Sequence, residues 1–412
     1  MNPLSVDSGG PISLRLQAAI YRESLALVSA GIADADDVDR VIKNSIGRRW
    51  AVGGPFEIWE QIGWDLVHVI AGELFSEISV AKSADEFSMD SLNEDSPAES
   101  SDSVSESEFE NVAVIGAGLL GHGIALEMAS RGKQVYLNDI SGDLLADAMT
   151  KVRVGLEALA SVGRIDEREI SESISRITTS TDLTASVAGA DLVIEAATEN
   201  LGLKKSIFAA IDDAAPSDAV LASNSSTFVP SAYGFGVSDR SRVVGIHYFN
   251  PPHLLPGVEI INGPETSDET VQRIKREYER IGKQPAVVRA EIQGFVSNRL
   301  QVALLRESMA VVQARWITPS EVDELVRDGF GAELAKRGIF EYVAEHEAAS
   351  FESKLSGLFS DLNNSRKLPK LLLDKIESGE LGVKVGKGFY EWTPESAEAW
   401  RANMANSLLH MD

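Results

Sequence analysis

Residues 112–139 read VAVIGAGLLGHGIALEMASRGKQVYLND. The apolar run Val112–Ile115 has the length and composition of a buried parallel strand, and Gly116-Ala117-Gly118-Leu119-Leu120-Gly121 follows it directly. Helical spacing comes next, then a second apolar run, Gln134–Leu137, which ends two residues before Asp139. Strand, glycine turn, helix and strand-end carboxylate together form a dinucleotide-binding fingerprint. Gly116 permits the tight turn, Gly118 lets backbone approach a pyrophosphate, and Gly121 allows close helix–strand packing. Leu119 and Leu120 fill the turn, and the free N–H groups of the helix start face the phosphates. Asp139 accepts hydrogen bonds from ribose hydroxyls and would repel a 2′-phosphate, while Ile140-Ser141-Gly142 offer no cation to receive one. The expected cofactor is NAD rather than NADP.

The remaining composition narrows the class. At 412 residues the chain has room for two or three domains, and with no cysteine it has neither disulfides nor thiolate metal sites. Its six histidines, at 68, 122, 247, 253, 346 and 410, lack paired-ligand spacing, so no metal is expected. The formal charge of −25 excludes a basic nucleic-acid footprint. No run approaches the length of a membrane span, and the first residues lack a basic, apolar leader, so no membrane partner is expected and a cytoplasmic enzyme is the default.

Ten acidic residues lie between Ala84 and Glu110, in a stretch too poor in large apolar groups to form a core. Residues 83–110 therefore read as an acidic, Ser/Asp/Glu-rich linker. From 111 to 291, apolar runs at Val112–Ile115, Gln134–Leu137, Leu192–Ile194, Val220–Ala222 and Val243–Ile246 alternate with helical patterns such as Leu144–Val162 and Leu203–Ala215. That alternation predicts an α/β domain, a parallel sheet with helices on both faces, and ligands at the carboxyl ends of its strands. From 292 to 412 the pattern is helical, with helices expected at Val296–Val312, Pro319–Asp328, Tyr342–Leu362 and Lys367–Ser378 before the segment LGVKVGKGFYEW. The chain also repeats itself. Leu14–Glu57 aligns without a gap to Asn298–Glu341 at an offset of 284, with 17 of 44 positions identical. Residues 1–82 thus hold a second, partial copy of the helical domain.

Chemistry should follow the later strands. Ser223-Asn224-Ser225-Ser226-Thr227 comes after the fourth, and the fifth leads into His247-Tyr248-Phe249-Asn250-Pro251-Pro252-His253-Leu254-Leu255-Pro256-Gly257-Val258-Glu259. His247 stands at a strand end, and Glu259 follows twelve residues later, after a proline-rich excursion that turns the chain back. A carboxylate beside an imidazole fixes its tautomer and suits it to accept a hydroxyl proton while hydride leaves the same carbon. Ser226 is placed to hydrogen-bond the substrate oxygen.

These motifs, with Glu199-Asn200-Leu201, Lys204 and Gly294-Phe295-Val296-Ser297-Asn298-Arg299-Leu300, resemble the 3-hydroxyacyl-CoA dehydrogenase family over most of 111–412. The resemblance implies a Rossmann-like NAD-binding domain followed by an all-α domain, and NAD-dependent oxidation of a 3-hydroxyl to a ketone, as in fatty acid metabolism. It makes His247 the base and Glu259 its partner, and gives Ser226 and Asn298 the polar contacts to substrate oxygen and cofactor. Glu199 and Lys204 fall on the cofactor side. It further implies pairing of helical domains, here as a homodimer or between the two copies of one chain. At the position matching Asn298 the amino-terminal copy has Leu14, so no catalytic contribution is expected from it. The copy is either a second packing surface or an appendage on a flexible tether.

The resemblance is uneven about substrate. The loop Pro252-His253-Leu254-Leu255-Pro256 is more like the branch of gulonate, carnitine and related hydroxy-acid dehydrogenases, whereas Gly382–Tyr390 looks like the acyl-CoA members. The substrate is then a 3-hydroxyacyl-CoA or a small free 3-hydroxy acid. A non-catalytic nucleotide-binding use, as in the family's lens crystallin, is the rival from another class. Lys204 would pair with a CoA phosphate or a free carboxylate, or stand solvated on its helix; His253 reads as a loop histidine, and His122 receives no role.

Overall fold

A computed structural model of the chain describes residues 11–87, 107–345 and 353–411, so most of the expected acidic linker lies outside the described residues. The chain divides into two units, Glu99–Gln293 and Met1–Ala98 with Gly294–Met411. The partial amino-terminal copy and the carboxy-terminal helical domain therefore belong to one body.

Among the described residues the first unit holds eight strands: β1 Asn111–Ile115, β2 Gln134–Asn138, β3 Ile177–Ser180, β4 Leu192–Glu195, β5 Val220–Ser223, β6 Val243–Tyr248, β7 Gly257–Ile261 and β8 Gln284–Val288. They form a single sheet in the order β3-β2-β1-β4-β5-β6-β7-β8, parallel except where β7 runs against β6. The strand order reverses between β1 and β4, which opens a crevice above their carboxyl ends. Val112, Ala113, Val114, Val193, Leu221 and Val244 are fully buried, as continuous apolar runs must be when helices cover both faces. The helix Gly142–Ser161 buries Leu145, Ala148, Val152, Leu156 and Leu159, one stripe at three- and four-residue spacing. Asn200 caps the helix Leu201–Ala214, its Oδ1 accepting the Leu203 N–H at 2.9 Å.

In the second unit the repeat becomes a pseudo-twofold. The helix Ile12–Ser29 packs on its counterpart Ser297–Gln313. Both copies continue through a short helix, Ala35–Val41 or Pro319–Leu325, into a π-helical turn, Ile42–Ile46 or Val326–Phe330, again 284 residues apart. The contacts between the copies are reciprocal. Asp39 accepts the N–H groups of Phe340 (2.9 Å) and Glu341 (2.8 Å), while Asp323 accepts those of Phe56 (2.8 Å) and Glu57 (2.9 Å). Each aspartate thus caps a helix of the other copy. Gly54 and Gly338 make this possible, since a Cβ on either would fall within 2.4 Å of the facing aspartate. The segment Gly382–Trp392 has no equivalent among the described residues of the first copy, but it packs on that copy. Buried Glu60 accepts the Phe389 N–H at 2.5 Å, the Trp64 Nε1–H at 2.6 Å and the Trp392 Nε1–H at 3.0 Å.

These contacts overturn the reading of residues 11–80 as a loose appendage. The expected helix Tyr342–Leu362 is helical at its start, within Ile339–Glu345, and again over 353–356; residues 346–352 lie outside the described residues, and the correction falls on its end, where Phe359–Asp361 is a 3₁₀ turn. A last helix, Pro394–Leu409, started by the Thr393 cap and Pro394, was not expected. Among the described residues no helix is long and apolar enough to cross a membrane.

Candidate active site

The glycine turn leaves β1 at Gly116, whose φ of 105° is open only to glycine and whose Cβ would stand 2.7 Å from the Ala196 carbonyl oxygen. At Gly121 a Cβ would fall 1.7 Å from the Gly116 carbonyl oxygen, so glycine there is what lets the Gly121–Ser130 helix lie against the turn. Gly118 is different: a Cβ would meet nothing within 4 Å. Its freedom from protein neighbours is the cradle a pyrophosphate requires. Leu120 precedes the helix and Leu119 is exposed. Asp139, just past the end of β2, accepts the Ala117 N–H at 2.8 Å, which sets its carboxylate beside the glycine turn. The residues present therefore fit NAD. His122 bonds the Gly118 carbonyl through Nδ1 at 2.7 Å, and burial lowers its pKa, so it acts as a neutral brace of the turn.

The antiparallel pairing of β6 and β7 explains the twelve-residue spacing of the proposed base and its partner. His247 and Glu259 are direct cross-strand neighbours, and Nδ1 lies 2.6 Å from Glu259 Oε2. Glu259 is fully buried and His247 is 7 % exposed. A carboxylate only accepts, so Nδ1 donates to Glu259, which in the neutral tautomer makes Nε2 the ring's acceptor. The connection between the strands is tied down from beneath. Buried Lys283 donates to the carbonyls of Pro252 (2.6 Å) and Leu255 (3.0 Å) and faces Glu127 at 3.5 Å. Burial lowers the His253 pKa to about 4, so this histidine is a neutral part of the loop.

Lys204 requires a correction. It is 1 % exposed, donates to both oxygens of Glu195 at 2.9 Å and lies 3.2 Å from Glu199. Its ammonium is spent inside the protein, so neither a CoA-phosphate contact nor a solvated helix position describes it. Glu199 in turn accepts the Thr227 N–H at 3.2 Å and the Ser225 hydroxyl. The pair thus shapes the turn that carries half-buried Ser226. Two members of this network were missed by sequence reasoning. Glu195 ends β4 fully buried and also accepts the Ser223 hydroxyl at 2.5 Å; a carboxylate closing the apolar run LVIE was its signal. Asn224 accepts the Tyr248 N–H at 2.8 Å and so fixes the residue after His247; nothing in its spacing marks it.

In the helical unit, Asn298 lies in the first turn of Ser297–Gln313, where its Oδ1 accepts from Gln301 Nε2 at 3.4 Å.

A sheet of this order, with a dinucleotide turn at its first strand and an imidazole–carboxylate couple two strands past the switch point, defines an NAD-binding oxidoreductase. Residues 111–292 match the family model for the 3-hydroxyacyl-CoA dehydrogenase NAD binding domain, and 10–100 and 294–392 match that for the 3-hydroxyacyl-CoA dehydrogenase C-terminal domain. The chain belongs to the 3-hydroxyacyl-CoA dehydrogenase family. It is 32% identical over 299 residues to 5-formyl-3-hydroxy-2-methylpyridine 4-carboxylate 5-dehydrogenase of Mesorhizobium japonicum, covering 73% of this chain and 96% of that one. A probable 3-hydroxybutyryl-CoA dehydrogenase of Bacillus subtilis is 30% identical over 291 residues, covering 70% and 100%. Among solved structures, an NAD+-dependent dismutase described as the same pyridine carboxylic acid 5-dehydrogenase superposes with a TM-score of 0.69 at 32% identity, over 73% of this chain and 96% of that one.

Proposed function

We propose that the chain oxidises the 3-hydroxyl of a 3-hydroxyacyl-CoA to the 3-keto group, reversibly, with His247 as the base. The observation that carries this reading is the 2.6 Å contact of His247 Nδ1 with buried Glu259. Bound NAD supplies the hydride acceptor. His247 Nε2 takes the hydroxyl proton as the carbinol C–H electron pair departs, and the resulting imidazolium is stabilised by Glu259 across the strand pair. In the reverse direction the same Nε2 returns the proton to the ketone oxygen. Ser226, held in place by the Glu199 network, donates to that oxygen. The closed β6–β7 connection limits water around the couple, which strengthens the interaction between imidazolium and carboxylate.

A second reading, a small free 3-hydroxy acid as substrate, draws support from the Mesorhizobium japonicum relative, which is named for a pyridine carboxylate; the internal pairing of Lys204 bears on both readings alike. The test is the initial rate of NADH oxidation with acetoacetyl-CoA, beside NAD reduction with a panel of free 3-hydroxy acids. We expect turnover with the thioester; turnover with free acids alone would replace the first reading by the second. With whichever substrate reacts, His247→Ala should lower kcat at least about 1000-fold while NADH binds nearly as before. Unchanged turnover in that variant would remove the mechanism.

A further inference from the structure

The pseudo-twofold of the helical unit joins its two copies by a matched pair of ion clamps, and one of them ends beside Asn298. Arg299, the next residue, donates through Nε to Glu23 of the amino-terminal copy at 2.7 Å and through Nη2 to the Glu77 carbonyl at 2.8 Å. Glu23 is 1 % exposed, and its second oxygen accepts the Ser79 N–H at 2.5 Å. The approach to this helix is tightly turned, with Gly294 at φ 76° and Phe295 at φ 51°. Leu74 of the amino-terminal copy closes on that turn, since a Cβ at Gly294 would lie 2.7 Å from both of its methyl groups. Two turns further along the helix, Arg306 donates to the Ser79 carbonyl at 2.6 Å. The start of Ser297–Gln313 and the turn before it are thus held by Glu23 and by residues 74–77 of the other copy.

The second clamp repeats the first at an offset of 284. Arg15 donates through Nε to Glu307 at 2.9 Å and through Nη2 to the Asp361 carbonyl at 2.5 Å, and Glu307 accepts the Asn363 N–H at 2.7 Å. The residue beside Arg15 is Leu14, which has no polar group to place. The two clamps match in chemistry, with Arg299 less buried than Arg15, and differ in what they hold.

We infer that Glu23 is a positioning residue, acting through Arg299 to hold the first helical turn and the Asn298 amide in register, so that the non-catalytic copy performs for this chain's own helix the work a facing helical domain can do. The inference rests on the reading of Asn298 as a polar contact to the substrate, which it deepens. A carboxamide in a first helical turn moves with its turn. Fixing the neighbouring guanidinium at two acceptors holds that turn in place before substrate arrives. In this view the duplicated segment survives without a catalytic side chain because its buried carboxylate serves the other copy's active residue.

The symmetric clamp supplies the control. Glu23→Gln and Glu307→Gln are compared in the full chain for kcat, for KM with the substrate that reacts, for NADH affinity, for thermal stability by tryptophan fluorescence, and for hydrogen exchange of peptide 294–302. Glu23→Gln should lower kcat about tenfold with NADH affinity unchanged, and raise exchange across 294–302. Glu307→Gln should lose comparable stability, hold kcat within twofold, and raise exchange around residues 11–18 instead. Equal kcat for the two variants, or loss of kcat in both in proportion to stability, overturns the positioning role. Asn298→Ala separates the two claims. Full activity in that variant sinks the substrate contact itself, whereas a large loss there with none in Glu23→Gln sinks only the clamp.

Discussion

Asp39→Asn should destabilise the helical unit by an amount that shrinks as pH rises. In the folded chain Asp39 is lifted from the ordinary aspartate value of 3.8 to about 7, because burial outweighs the two N–H groups donated by Phe340 and Glu341. The folded state therefore keeps this proton up to about pH 7, while the unfolded chain releases it near the ordinary value. Between those limits the native state binds more protons, so this group's contribution to stability is complete at acid pH and is lost as pH climbs through 7. At 1.36 kcal/mol per pH unit, the loss between pH 5 and pH 8 comes to about 2.5 kcal/mol. Asparagine does not titrate, so the wild-type advantage over Asp39→Asn should fall by that amount over the same range. All six tryptophans, at 50, 59, 64, 316, 392 and 400, lie in the helical unit, and their fluorescence reports its urea unfolding without interference from the other unit. Asp323, also lifted to about 7 by burial, should behave alike on the opposite side of the pseudo-twofold. A difference independent of pH, or one that grows toward pH 8, would mean that the paired N–H donors keep the carboxyl ionised, and the reasoning from burial would be wrong.

The glycine turn gives two variants with opposite signatures. Gly118→Ala should leave the apo protein's melting temperature within a degree or two and weaken NADH at least about tenfold in a fluorescence titration, because its Cβ meets only the space a pyrophosphate takes. Gly121→Ala should destabilise the apo protein by on the order of 3 kcal/mol, since its Cβ is driven onto a backbone oxygen at 1.7 Å. Lys204→Met should cost about 3–5 kcal/mol in thermal or urea unfolding, because it leaves two carboxylates, Glu195 and Glu199, without their shared cation. If it instead raised KM for the thioester alone and left stability untouched, Lys204 would return as a CoA contact.

What the sequence disclosed and what it hid follow from one distinction, between local pattern and long-range partners. The β1 turn and Asp139 are legible because each residue's conformational duty is set by its immediate neighbours. Five strands announce themselves as apolar runs. The other three did not: Ile177–Ser180 is three-quarters polar, Gly257–Ile261 carries Glu259 in its middle, and Gln284–Val288 has Pro285, tolerable only because β8 is an edge. The cross-strand position of Glu259 was foreseen only as a chain reversal; its register with His247 needed β7. Lys204 was misread because helical spacing says nothing about Glu195, whose carboxylate comes from the neighbouring strand. Asn224 was likewise invisible, its partner being a backbone amide in β6.

The repeat carries a finer message, in which positions stayed identical. Arg15 and Arg299, Arg22 and Arg306, Glu23 and Glu307, Asp39 and Asp323, Gly47 and Gly331, Gly54 and Gly338, and Phe56 and Phe340 match across the offset. Nearly all of them meet at the pseudo-twofold: the clamps, the two aspartate caps, and the glycines whose Cβ would strike the facing backbone. A pseudo-symmetric interface asks the same chemistry of both partners, so a change on one side disturbs a contact whose twin still demands the old residue. Asn298 and Leu14 stand outside that constraint, as they would if Asn298 makes the proposed substrate contact, which has no twin within the interface. On that reading the pattern of identity separates what the two copies do for each other from what only one of them does for a substrate. It also places Glu23 on the shared side and Asn298 on the other, one residue beyond the arginine that joins them.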